Sequence, residues 1–121
     1  MRWLMRSKIH KAIVTQADLN YVGSITIDRN LMDAVGLWEG EKVLVVSNTT
    51  GARLETYVIE GQAGSGDICV NGAAAHLVGA GEEVIIVGFE LSATPVEPRV
   101  IMPSQQNREF EYLIEEAGQT V

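Results

Sequence analysis

The sequence predicts a mainly β fold, a small barrel with short helices and a C-terminal helix. Apolar residues come in short runs broken by turn residues, among them 12 glycines in 121 positions. Ile, Val and Thr are frequent in those runs, and β-branched side chains suit a pleated surface better than a helix. With many short strands and little helix to cover them, closing the sheet into a barrel is the economical way to leave no edge exposed. The length fits one domain over residues 1–121 that buries a core of its own.

Residues 9–14 read as a first strand, and a period of two places Lys8 and His10 on one face with Ile9 and Ile13 on the other. Residues 15–20 lead to a second strand over 24–27, in which Ser24 and Thr26 share a face. Asp28 caps a short helix whose Leu31, Met32 and Val35 fall on one side, and Gly36 stops it. Residues 42–47 form an apolar strand, which Asn48-Thr49-Thr50-Gly51 turns into a hairpin partner over 53–59. Alternation there puts Arg53 and Tyr57 on one face. After a glycine-rich loop over 61–67, the strand 68–71 enters Gly72-Ala73-Ala74-Ala75-His76, a small-residue turn or helix start. Residues 84–89 and 100–102 supply further strands. From Gln105 onward, Phe110, Leu113, Ile114 and Ala117 recur at helical spacing, which predicts the C-terminal helix.

The net charge of −7 argues against nucleic acid as a partner, because that affinity comes from Lys and Arg set against phosphates. No stretch approaches the roughly 20 apolar residues of a membrane span. Cys69 is the only cysteine, so neither an intrachain disulfide nor a cysteine zinc cluster can form, and a reducing cytoplasm is the simplest compartment. Between Ile68 and Val70 its thiol reads as inert. The two histidines fall in no ligand spacing, so no metal is expected, and the glycines match no phosphate-binding pattern.

Gly23-Ser24 sits at the mouth of the second strand, and a Gly-Ser pair alone means little, since Gly64-Ser65 is another. Its company sets it apart. Lys8-Ile9-His10, the run from Thr15 to Ser24, Arg53-Leu54-Glu55-Thr56-Tyr57, and Val70-Asn71-Gly72-Ala73-Ala74-Ala75-His76 together resemble the motifs of the pyruvoyl-dependent aspartate 1-decarboxylases. The resemblance runs from Met5 to about Phe89, with four separated motifs in the family's order.

Membership would imply a six-stranded double-psi β-barrel, assembled as a homo-tetramer, that turns L-aspartate into β-alanine and carbon dioxide on the route to pantothenate. It would also imply autocatalytic cleavage between Gly23 and Ser24, giving a β chain of residues 1–23 and an α chain of residues 24–121. Glycine before the serine leaves the peptide free to distort. Ser24 Oγ can then attack the Gly23 carbonyl, and elimination and hydrolysis leave a pyruvoyl group in place of Ser24, the ketone that forms a Schiff base with substrate. By resemblance, Asn71 and Thr56 stabilise the oxyanion of that cleavage and Tyr21 shapes the processing site. Arg53 suits a substrate carboxylate because its planar fork binds one bidentately. The resemblance adds Thr56, Gly72, Ala73, Ala74, Ala75, Lys8 and His10 to the substrate site, and Tyr57 as the donor of a proton to the substrate α-carbon. Where the family pattern carries a tryptophan near the end of the hairpin's first strand, this chain has Val46. Whether a maturation factor assists cleavage stays open. So do two rival readings, a β-barrel interaction module that is never cut and a pyruvoyl decarboxylase for another acidic amino acid.

Overall fold

The structure, a computed structural model, describes residues 1–121. Nine strands and one short helix follow in the order β1 (Arg2–Ile13), β2 (Gln16–Asp18), β3 (Ser24–Asp28), α1 (Arg29–Val35), β4 (Lys42–Ser47), β5 (Arg53–Gly61) and β6 (Ile68–Asn71). A 3₁₀ turn over Gly72–His76 precedes β7 (Glu83–Ser92), β8 (Arg99–Ser104) and β9 (Glu109–Tyr112). The fold is mainly β, as the residue pattern predicts. The strands hydrogen-bond in the order β2-β6-β3-β5-β4-β7-β1-β8-β9, a strongly crossed-over sheet with β2 and β9 at its edges rather than a closed ring of six. No helix is long and apolar enough to cross a membrane.

Alternation along the strands builds the core. Ile9, Ile25, Ile27, Val43, Val45, Val58 and Ile86 all point inward and are at most 1% exposed. β1 pairs antiparallel with β7 from Arg2 opposite Ser92 to Ile13 opposite Glu83, with register shifts between Met5 and Ser7 and between Ile9 and Ala12. Lys11 takes a left-handed φ of 64° there, and the extra residue lets Ile9 and Ala12 both face the core. Helix α1 covers the core with Leu31, Met32 and Val35. Asp28 caps it by accepting from the Asn30 N–H at 2.8 Å, and Gly36, at φ 78°, ends it in the left-handed region. The same buried Asp28 carboxylate accepts from the N–H groups of Gly64 and Gly66, so the second Gly-Ser pair belongs to a structural loop.

The C-terminal helix is not formed. Gln105, Gln106 and Asn107 all have positive φ, between 49° and 64°, and three such residues in a row cannot continue a right-handed helix. They turn the chain back so that β9 pairs antiparallel with β8. Asn107 anchors the turn: its side chain accepts from Ile13 N–H at 3.0 Å and donates to the carbonyls of Ile13 and Gly66. Phe110 packs on the core and meets the Tyr112 ring edge-on at 5.7 Å, an i, i+2 pairing proper to a strand. Residues 113–121 form neither helix nor strand.

Candidate active site

Strands β6, β3 and β5 lie side by side and carry the central group. In the antiparallel register of β3 with β6, Ser24 stands opposite Asn71 and Ile25 opposite Val70; in the parallel register of β3 with β5, Ile25 stands beside Val58. Ile25, Val70 and Val58 face the core. By alternation Ser24, Thr26, Asn71 and Tyr57 share the other face, with Arg53 further along β5.

Ser24 is fully buried although Tyr21, Val22 and Gly23 before it are exposed. Its hydroxyl donates to the Val22 carbonyl at 3.2 Å, and the Asn71 side-chain amide donates to its Oγ at 3.3 Å. The same amide nitrogen donates to Thr26 Oγ1 at 3.2 Å. Directly after Asn71, Gly72 adopts φ 67° and seats the 3₁₀ turn against the junction. A Cβ on Gly72 would lie 2.6 Å from Gly23 Cα, 2.8 Å from Gly23 N and 3.1 Å from the Tyr21 carbonyl oxygen. Only glycine permits that approach. Of the alanines that follow, Ala73 is exposed, while Ala74 is half-buried and packs against the core.

A backbone glycine pressed on a Gly-Ser peptide, with a buried serine and an amide donor at its oxygen, is equipped to distort and cut that peptide. The matches to known proteins decide the family. Residues 1–110 match the model of the aspartate decarboxylase family. The chain belongs to that family. It is 61% identical to aspartate 1-decarboxylase of Corynebacterium efficiens over 104 residues, 86% of this chain and 76% of that one. To aspartate 1-decarboxylase of Bacillus thuringiensis strain Al Hakam it is 52% identical over 124 aligned positions, 99% of this chain and 98% of that one. The same figures hold for the Bacillus anthracis strain CDC 684 protein.

Not every expected family site residue gathers around Ser24. Thr56 has the parity of Leu54 and Val58, which is the core side of β5, and no hydrogen bond joins it to Ser24 or Asn71. Thr26, which the sequence reading placed on the Ser24 face without a role, is the residue that shares the Asn71 amide. Lys8 and His10 lie on β1, four strands from β3 in the order β3-β5-β4-β7-β1. At about 4.8 Å per strand that is about 19 Å along the sheet. Val46 and Leu44 of β4 and Ile85 and Val87 of β7, all half-buried, stand between.

On β1 the tail lies over the cations. Lys8 Nζ pairs with Glu115 at 2.8 Å, and Lys11 Nζ donates to the Val121 oxygen. Neither ring nitrogen of His10 finds a hydrogen-bond partner, and burial first, then the charges of Lys8 and Lys11, hold its pKa below the usual imidazole value. Cys69 lies on the Ser24 face, half-buried. Burial chiefly raises its thiol pKa, which suits an inert residue.

Two surface grooves, of about 420 and 570 Å³, run beside Trp3 and Phe89 and beside Leu4 and Val96, and neither is lined by Ser24, Tyr57 or Asn71.

Proposed function

We propose that the chain decarboxylates L-aspartate to β-alanine and carbon dioxide, the step that would supply β-alanine for pantothenate, using a pyruvoyl group made from its own Ser24. Family membership supports the reaction. The observation that carries the cofactor is the buried Ser24 held between Val22 and Asn71, with Gly72 pressed on Gly23. The space suits a pyruvoyl made in place, since that group is no larger than the serine it replaces: Cβ becomes its methyl, Oγ leaves with the Gly23 carboxylate, and the ketone oxygen takes the place of the Ser24 nitrogen.

In the cleavage, Ser24 Oγ bonds to the Gly23 carbonyl carbon, the C–N bond breaks, and the hydroxyl proton ends on the Ser24 nitrogen. Loss of the Ser24 α-proton then expels the Gly23 carboxylate from Cβ. One water hydrolyses the resulting enamine and releases ammonia. No oxidant or metal enters the balance. The short chain, residues 1–23, stays bound because β1 remains paired with β7 and β8 and β2 with β6.

The pyruvoyl ketone, once formed, supplies the electron sink that no ordinary side chain offers. Arg53 binds one aspartate carboxylate bidentately on the same face. Gly72 and the alanines Ala73 and Ala75 leave room for substrate against the backbone. Tyr57, 39% exposed in the row next to Ser24, holds its phenolic proton for the α-carbon that carbon dioxide leaves.

Lys8 and His10 would reach this face from a neighbouring chain rather than their own, which is the part the proposed homo-tetramer plays. A second copy laid on the aliphatic belt of β4 and β7 would also enclose the open Ser24 side. The chain is read as cytoplasmic.

Intact mass with and without borohydride tests the proposal. A cleaved chain beginning at position 24 that gains two hydrogens on reduction is expected, together with β-alanine formed from aspartate, while Ser24→Ala folds but stays at 13.1 kDa. Wild-type protein that remains one chain on prolonged incubation would favour the uncut interaction module. Faster carbon dioxide release from another acidic amino acid would reassign the substrate.

A further inference from the structure

We infer that Thr26 is a positioning residue for the self-cleavage, holding the Asn71 side-chain amide on Ser24; the inference rests on the reading of Gly23-Ser24 as the junction that is cut. The Asn71 amide nitrogen has two hydrogens and two partners, Ser24 Oγ at 3.3 Å and Thr26 Oγ1 at 3.2 Å. Ser24 already spends its own proton on the Val22 carbonyl, so its oxygen accepts from Asn71. That fixes which end of the amide faces the serine.

The register explains why a second anchor is needed. Asn71 stands directly opposite Ser24, whereas Thr26 stands opposite Cys69. To reach Thr26 the amide leans along β3 to the diagonal neighbour, and it lies lengthwise between residues 24 and 26. Without the Thr26 oxygen it would pivot on one bond whose 3.3 Å length is already at the long end for N–H···O.

The position matters for the first step. When Ser24 Oγ bonds to the Gly23 carbon, negative charge gathers on the Gly23 carbonyl oxygen, which is attached to that same carbon. An N–H donor held at Oγ stands beside the developing charge, and a donor fixed in advance needs no reorganisation at the moment of attack. Thr26 touches neither reacting atom and acts through Asn71.

Thr26→Val keeps the branched shape and removes the acceptor, Thr26→Ser restores it, and Thr26→Ala serves if valine perturbs folding. The readout is the rate of cleavage of freshly made full-length chain, followed by intact mass, with thermal melting to confirm the fold. Thr26→Val is expected to cut about tenfold more slowly, the worth of one neutral hydrogen bond. Thr26→Ser should cut near the wild-type rate. Added to Asn71→Ala, Thr26→Val should cost nothing more, because its route is already gone. Cleavage of Thr26→Val at the wild-type rate, or an equal slowing in the Asn71→Ala background, would overturn the role. A wild-type chain that is never cut would instead remove the cleavage reading itself.

Discussion

Tyr57 and His10 show how much a single residue's surroundings decide. Tyr57 is solvent-reachable on the Ser24 face, as a proton donor to a bound substrate needs to be. Tyr57→Phe keeps the ring and loses the proton. It should leave cleavage intact and lower kcat by about a hundredfold or more; β-alanine formation at the wild-type rate would take the role from Tyr57. His10 carries a pH signature. Its folded pKa lies below the usual 6.5, so the unfolded chain binds the proton that the folded chain resists. Stability from keeping His10 neutral is present above 6.5 and is lost as the pH falls through the folded value. The melting temperature should therefore drop on acidification from 6.5 down to the folded value, and His10→Gln should flatten this part of the curve. An unchanged slope in the variant would show that other groups govern it. The motifs single out positions 8, 10, 24, 53, 57 and 71 as candidates, but the Thr26 contact with Asn71 was not legible, since a threonine alternating with a serine is ordinary strand composition.

At the scale of elements, the 3₁₀ turn after β6 has the sharpest requirement. Gly72→Ala would force a left-handed φ on a residue with a Cβ and drive that Cβ into Gly23 backbone atoms. A loss of about 1–3 kcal/mol in denaturant melts is expected. Cleavage should slow as well, because the turn can relieve the clash only by backing away from the junction, and a fully cut Gly72→Ala chain of normal stability would refute the close approach. The strands and α1 follow from local pattern and capping, with boundaries that shift by a few residues; β1 starts at Arg2, seven residues ahead of the predicted strand, because pairing with β7 extends it. The C-terminal segment went the other way. Phe110, Leu113, Ile114 and Ala117 fit a helical period, but Asn107 is held by three hydrogen bonds to residues far off in sequence, and that tertiary anchor makes a hairpin of the segment.

Across the whole molecule, the proposed tetramer would bring Lys8 and His10, four strands from Ser24 on their own chain, to the Ser24 face of a neighbour. If one chain supplies Arg53 and its neighbour Lys8, then Lys8→Ala and Arg53→Ala chains, each impaired alone, should regain activity when co-assembled. Random mixing in equal amounts would restore about a quarter of the sites. No recovery in verified mixed oligomers would mean that both residues serve the same chain's site or that Lys8 serves none. The mainly β class, the capped helix and the family could all be read along the chain, because they depend on periodicity, on caps and on residue types in a fixed order. Which faces meet could not. The pairing of β6 with β3 that sets Asn71 on Ser24, the left-handed Gly72 against Gly23, the placing of Thr56 on the core side and the distance between Lys8 and Ser24 all come from strands far apart in sequence, and long-range register is set by the packing of the core as a whole.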